Sequence, residues 1–217
     1  KGAAELVIRS YRHSFFPPER LADHGVKLAS ARAGNVIGGG DWTPDALIVD
    51  IVNSLAADRP VQIRSPHAQR PWQHVLQALS GYLTLSARLL TSDNAVYQSG
   101  WNIGPAAGSE LPVREVVKAF LGEWGGGSWV DVSDADDPHE ANILRLSIDK
   151  AIWQLNWRPG WDVHETLRQT VGWYRKFHRG NDAMREVSLK QIELYESAIG
   201  WSPCSPADIS TTATASV

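Results

Sequence analysis

The sequence has a single cysteine, no long hydrophobic run and no excess of basic residues. Cys204 alone can form neither an internal disulfide nor a cysteine cluster around a metal ion, and such a composition is typical of a reducing compartment. No apolar segment approaches the roughly 20 residues that cross a bilayer. We therefore expect a cytoplasmic protein with no membrane span and no metal site.

Basic residues do not outnumber acidic ones. Lysine and arginine number 21 and aspartate and glutamate 24, which gives a formal net charge of −3. Non-specific nucleic-acid binding needs a basic face that replaces the counterions of the phosphates, so we expect no nucleic-acid partner. With 217 residues, 43% of them hydrophobic, the chain can bury a sizeable core as one large domain or two small ones.

Tryptophan, by contrast, is abundant, with ten residues. Flat indole faces could form a surface on which sugars stack, or they could pack in the core. Core packing is the favoured interpretation, because Trp153, Trp157 and Trp161 surround a turn at 158–160 and are expected to pack around a helix end.

Hydrophobic periodicity predicts short strands alternating with helices, which is typical of an α/β fold. The predicted strands cover 26–32, 61–63, 96–103 and 129–132. The predicted helices cover 1–16, 45–57, 72–90, 112–124, 150–155, 163–180 and 184–199. No strand is a long apolar run of the kind buried inside a parallel sheet. We therefore expect sheet-edge strands plus a mostly helical lobe, and not a complete doubly wound domain.

Two segments partly match motifs for binding a dinucleotide or zinc, but the spacing of their residues does not fit either motif. The glycines at 38–40 follow a strand, but a dinucleotide loop would need its third glycine at Thr43, so a turn leading out of the sheet is favoured. His139 and Glu140 begin a zinc-helix motif, but Ile143 stands where the second histidine is required. No Gly-x-Ser-x-Gly element supports a serine nucleophile.

Two polar residues allow a functional or a structural interpretation. Arg70 precedes a predicted helix on a segment stiffened by proline, where it could bind a phosphate through two hydrogen bonds or form a surface ion pair. Asn35 lies between glycine-rich turns, where a simple turn residue is favoured when it is considered alone.

Several segments together resemble the nucleotide-sugar branch of the extended short-chain dehydrogenase/reductase family. They are Lys-Gly-Ala-Ala-Glu-Leu at 1–6, Arg-Ala-Gly-Asn-Val-Ile-Gly-Gly-Gly-Asp-Trp at 32–42, Arg-Pro-Trp-Gln-His-Val at 70–75, Trp-Asn-Ile-Gly at 101–104 and Pro-His-Glu-Ala-Asn at 138–142. The resemblance covers residues 1 to about 180. It implies the C-terminal part of a Rossmann-type fold.

The resemblance also implies a division of the chain. Residues 1–44 would be the C-terminal remnant of an NAD-binding Rossmann domain, and residues 45–200 would be mainly a sugar-nucleotide lobe. Residues 201–217, rich in serine, threonine and alanine, are expected to be a flexible tail.

Site residues follow from the same resemblance. Lys1 is similar to the catalytic lysine of the family's Tyr-x-x-x-Lys pair, which lowers the pKa of the tyrosine and contacts NAD, and Gly34 would also lie at the NAD site. Asn35 and Arg70 would bind the substrate diphosphate, and Arg64 would lie along the nucleotide base. His139 stands where related enzymes often carry a second phosphate-binding arginine, which weakens its assignment to the substrate.

The implied reaction is an internal redox dehydration of CDP-glucose or a related nucleotide sugar, with NAD as cofactor. Oxidation at C4 acidifies the C5 proton, water is lost across C5 and C6, and hydride returns to C6. In this family the tyrosine, the acid, the base and the NAD loop precede the lysine, so we expect this chain to be an incomplete and inactive part of such an enzyme. A homodimer through the N-terminal helix is also implied.

Two alternatives stay open at this point. The chain could belong to another epimerase or dehydratase of the same family with a different nucleotide base. It could also be a module that binds nucleotide sugars without catalysis.

Overall fold

A computed structural model describes residues 2–134, 143–180 and 183–201 of the chain. Its helices are α1 (Gly2–Phe15), α2 (Leu21–His24), α3 (Leu47–Ala56), α4 (Val75–Thr91), α5 (Val113–Trp124), α6 (Asp149–Gln154), α7 (Val163–Arg179) and α8 (Met184–Ala198). Short 3-10 helices cover Pro18–Arg20 and Ala95–Tyr97. The predicted tail at 201–217 falls outside the described residues, apart from Trp201.

The strands are β1 (Ser30–Ala33), β2 (Asn35–Ile37), β3 (Val61–Ile63), β4 (Gln69–His74), β5 (Gly100–Ile103), β6 (Glu110–Pro112) and β7 (Trp129–Asp131). They form three small sheets. β1 pairs with β5 in parallel, and β3 pairs with β7 in parallel. β4 lies between β2, which runs parallel to it, and β6, which runs antiparallel.

Among the residues that the structure describes, buried hydrophobic side chains form two cores. One core lies among α4, β5 and α6, and its fully buried members include Trp101, Ile103 and Leu155. The larger core joins α3, β3, β4, α5, α7 and α8. The α/β class and the expectation of a small sheet beside a mostly helical lobe are therefore confirmed.

Most predicted helices are confirmed to within a few residues. α7 shows why: its apolar positions repeat at helical spacing, and it ends where Gly180 adopts the left-handed conformation with φ 71°. Both strands within 1–44 pair with strands beyond residue 44, β1 with β5 and β2 with β4. The domain boundary at residue 44 stays a prediction.

The prediction of a helix over 72–90 is wrong at its start. Trp72 and His74 belong to strand β4, and α4 begins only at Val75. Pairing with a strand on each side outweighs the helical spacing of the side chains that follow. The prediction of four strands is also incomplete, because β2, β4 and β6 carry no long apolar run that would reveal them.

Tryptophans serve chiefly as core residues, as the favoured interpretation predicts. Five are buried: Trp72, Trp101, Trp157, Trp161 and Trp173. Trp153 is 79% exposed and stands apart from both cores.

The glycines after β2 allow close packing. A Cβ at Gly39 would lie 2.0 Å from Cγ of Trp173, and one at Gly38 would lie 2.7 Å from a methyl group of Val75. Gly40 has φ 83°, which favours glycine. The segment is therefore a turn packed against α4 and α7, as expected.

Candidate functional site

A cavity of about 660 Å³ opens beside β2, β3, β4 and α3, and we call it the first cavity. Its lining includes Asn35, Asp50, Arg64, Arg70 and Trp72. These residues are far apart in the sequence. They meet because β2 pairs with β4 and because α3 and β3 share the larger hydrophobic core with those two strands.

Arg70 is the most buried cation of this cavity, with 7% of its surface exposed. It lies in β4 opposite Leu111 of β6, two residues before Trp72, where the pairing of β4 with β2 begins. Its NH1 group donates a hydrogen bond to the carbonyl oxygen of Gln69 at 2.9 Å. A guanidinium carries five N–H groups in a planar arrangement, so it can donate to more than one acceptor.

Asn35 and Arg64 reach the same cavity from different strands. Asn35 begins β2 and stands in register with Trp72 of β4. Arg64 follows β3 directly and is exposed to solvent. The structure thus brings together three residues that the family resemblance assigns to a sugar nucleotide. A half-buried amide and two guanidinium groups line one space.

The other predicted site residues lie elsewhere or are not described. A Cβ at Gly34 would lie 2.7 Å from the carbonyl oxygen of Pro71, so the absence of a side chain there permits close strand packing. Lys1 and His139 lie outside the described residues. The roles assigned to these three residues stay predictions.

Glu5 attaches helix α1 to the sheet formed by β1 and β5. Its carboxylate accepts a hydrogen bond from Ser30 Oγ at 2.9 Å and lies 3.3 Å from NH1 of Arg32. Arg32 Nε in turn donates to Asn102 Oδ1 at 2.9 Å. The start of α1 is therefore held next to the strand that leads to Asn35.

The described residues do not define a cofactor pocket by themselves. Of the two residues that the resemblance assigns to NAD, Lys1 is not described, and Gly34 faces Pro71 where a Cβ would be placed.

Sequence reasoning missed the acidic side of the first cavity. Asp41, Asp45 and Asp50 all line it. Burial, followed by repulsion from Asp45, raises the pKa of Asp50, and attraction to Arg64 partly offsets the rise. The Asp41 carboxylate accepts hydrogen bonds from the side chain and backbone of Thr43, which lower its pKa. Acidic residues near a helix start carry no distinctive signal, since this is a common position for them.

His74 fixes the junction between β4 and α4. It is 1% exposed, and its Nδ1 accepts a hydrogen bond at 3.3 Å from the backbone N–H of Leu76, which caps the helix. Burial lowers its pKa to about 4, although attraction to Glu165 opposes the shift. Its ring meets that of Trp161 edge to face, with centroids 4.9 Å apart. A neutral imidazole thus holds the strand that carries Arg70.

In the part of the chain that the structure describes, no helix is both long enough and apolar enough to cross a lipid bilayer.

Comparison with curated proteins finds relatives at the level of sequence. The chain is 46% identical over 199 residues to CDP-glucose 4,6-dehydratase of Salmonella typhimurium, covering 91% of this chain and 55% of the relative. It is 25% identical over 196 residues to dTDP-D-glucose 4,6-dehydratase of Mus musculus, covering 86% of this chain and 50% of the relative. The chain thus spans about half the length of the curated relatives it matches. No protein-family model matches the sequence.

Solved structures share the fold. A dTDP-glucose 4,6-dehydratase of Streptomyces venezuelae, solved with NAD, aligns with a TM-score of 0.65 at 22% identity over 85% of this chain and 52% of that chain. UDP-glucose 4-epimerase of Thermotoga maritima, solved with UDP-glucose, aligns with a TM-score of 0.61 at 21% identity. The alignment covers 77% of this chain and 52% of that chain. The chain is therefore a sequence relative of CDP-glucose 4,6-dehydratase, with the fold of the nucleotide-sugar dehydratases and epimerases of the short-chain dehydrogenase/reductase family.

Proposed function

We propose that this chain forms the nucleotide-sugar binding part of an NAD-dependent CDP-glucose 4,6-dehydratase. The observation that carries the proposal is the first cavity, which gathers Asn35, Arg64 and Arg70 from three strand regions. The 46% identity to CDP-glucose 4,6-dehydratase supports the choice of substrate.

Arg70 is the principal ligand of the diphosphate in this proposal. Its guanidinium offers a planar pair of donors to two phosphate oxygens, and burial strengthens the attraction because little water screens it. The Asn35 side chain adds a neutral amide donor from the adjacent strand. Together they orient the sugar by holding the charged group to which it is attached.

Beyond binding, the resemblance assigns the chemistry of the sugar to the family's tyrosine, acid, base and NAD loop. When bound, NAD would provide reversible hydride acceptance at C4 of the glucose. Lys1 stays the proposed partner of that tyrosine, with its ammonium group favouring the phenolate form. We therefore propose that the chain alone binds nucleotide and has no dehydratase activity.

Helix α1 also supports the proposed homodimer. Val7, Tyr11 and Phe15 follow one another at four-residue spacing on one side of the helix, Leu6 lies at the edge of that side next to Val7, and each of the four is more than half exposed. The rings of Tyr11 and Phe15 stand 4.7 Å apart and form a continuous aromatic surface. A second copy of α1 would remove this apolar area from water.

Calorimetry with CDP tests the binding role. We expect the 217-residue chain to bind CDP and Arg70→Lys to weaken binding by about tenfold or more, since lysine cannot reproduce two parallel hydrogen bonds. Arg185→Lys is the matched control, because the side chain of Arg185 on α8 is 80% exposed. Equal affinity in the wild type and Arg70→Lys, or no binding of CDP at all, would contradict the proposal.

A further inference from the structure

A second cavity, of about 860 Å³, adjoins the first. The two cavities share four lining residues, Asp45, Asp50, Gln62 and Arg64. Arg70 and Asn35 line only the first cavity. The four shared residues therefore mark the junction at which the first cavity continues into the second cavity. A ligand held by its diphosphate at Arg70 can extend past this junction.

The second cavity has one wall made by the pair of strands β3 and β7. Val61 and Ile63 of β3 are buried, so Gln62 points to the opposite face because side chains alternate along a strand. Gln62 stands in register with Val130 of β7. Val130 and Val132 line the cavity and are about 40% exposed, which gives this wall an apolar surface that suits a flat heterocycle.

Helix α3 forms the facing wall and presents Asp50 at the junction. Asp50 lies in the first turn of α3, and its backbone N–H donates to the carbonyl oxygen of Ala46 at 2.9 Å. Ile48 and Ile51 of the same helix are buried in the larger core. The carboxylate is thus carried by a rigid element and is only partly exposed.

The charges at the junction select the kind of group that can lie there. Asp45 and Asp50 would repel a phosphate, and Arg64 is the cation beside them. Across the described residues, neither Asp50 nor Arg64 makes a side-chain hydrogen bond or a close ion pair. The Asp50 carboxylate can therefore accept a hydrogen bond from an uncharged ligand group, and the Arg64 guanidinium can donate to it. Such a group must carry a donor next to acceptors.

We propose that Asp50 selects cytosine over uracil and thymine by accepting a hydrogen bond from the exocyclic amine of the base, while Arg64 donates to the ring nitrogen and carbonyl beside it. Cytosine offers a donor at this position, whereas uracil and thymine place a carbonyl oxygen there. That carbonyl oxygen would face the Asp50 carboxylate, and neither group could donate a hydrogen bond to the other. The site therefore disfavours uracil and thymine in addition to favouring cytosine. This inference rests on the proposed function, since it assumes that a nucleoside diphosphate occupies the two cavities.

Calorimetry of the 217-residue chain with CDP, UDP and 2′-deoxy-CDP tests the inference. We expect the wild type to bind CDP at least about tenfold more tightly than UDP, and to bind 2′-deoxy-CDP like CDP. Asp50→Asn should bring the ratio of CDP to UDP affinities to within about threefold of one, because an amide can either donate or accept.

Asp45→Asn is the matched control, since it removes an acidic charge at the same junction. It should change the affinities for CDP and UDP by a common factor and preserve their ratio. Far-UV circular dichroism on both variants establishes that they are folded.

Three results would overturn the inference while leaving CDP binding intact. The wild type could bind CDP and UDP equally, Asp50→Asn could keep the wild-type ratio, or Asp50→Asn could act only by removing a preference for CDP over 2′-deoxy-CDP. The last result would place the carboxylate on the ribose. If the wild type binds neither CDP nor UDP, the proposed function itself fails, and the inference fails with it.

Discussion

His74 should make the stability of this protein depend on pH in a predictable direction. The ordinary pKa of a histidine is 6.5, and burial in the folded protein lowers it to about 4. Between these values the unfolded chain binds a proton that the folded chain excludes. The free energy of unfolding therefore has its full value above pH 6.5 and falls as the pH is lowered towards 4.

The size of the effect follows from the interval between the two pKa values. A difference between pKa 6.5 in the unfolded chain and about 4 in the folded protein corresponds to about 3 kcal/mol of unfolding free energy, since one pKa unit is worth about 1.4 kcal/mol. His74 is 1% exposed, so little water is present to screen the buried charge. The raised pKa of Asp50 and the lowered pKa of Glu165 also make the stability depend on pH, so the comparison must be made with a variant.

His74→Asn is the suitable variant, because its side-chain oxygen can accept the hydrogen bond of the Leu76 N–H and cap α4 in place of Nδ1. Urea unfolding followed by far-UV circular dichroism gives the free energy of unfolding of both proteins from pH 7.5 to 4. The wild type should lose about 3 kcal/mol more than His74→Asn over this range. Parallel profiles would refute a buried neutral imidazole at this position.

Two further predictions concern the packed turn and the exposed face of α1. Gly39→Ala should lower the free energy of unfolding by about 3 kcal/mol or more, because the added Cβ would overlap the ring of Trp173. Gly122→Ala lies in an open position of α5 and should raise the free energy of unfolding by up to about 1 kcal/mol. Equal effects of the two substitutions in urea unfolding would contradict the packing. Val7→Glu should convert the proposed dimer into a monomer in sedimentation velocity. Arg9→Glu should leave the dimer intact, because Arg9 is an exposed polar residue of the same helix. A monomeric wild type would refute the proposed dimer.

Sequence reasoning located much of the candidate site but described its surroundings incompletely. Asn35, Arg64 and Arg70 were assigned together through motifs, and they line one cavity. Arg70 was expected just ahead of a helix, yet it lies in the middle strand of a sheet. The acidic junction with Asp45 and Asp50 was missed, because an aspartate near the start of a helix has the same sequence signature whether it faces bulk solvent or a ligand.

The sequence by itself determined most of the helices and the α/β class. Helical periodicity and terminating glycines are local properties, so α1, α5 and α7 could be predicted without knowledge of any partner. Only the tertiary structure decided which side chains share a cavity. Strands of three residues such as β2 and β3 carry too short a pattern to specify a neighbour, and pairing between distant segments is what places Asn35 and Arg70 around one cavity.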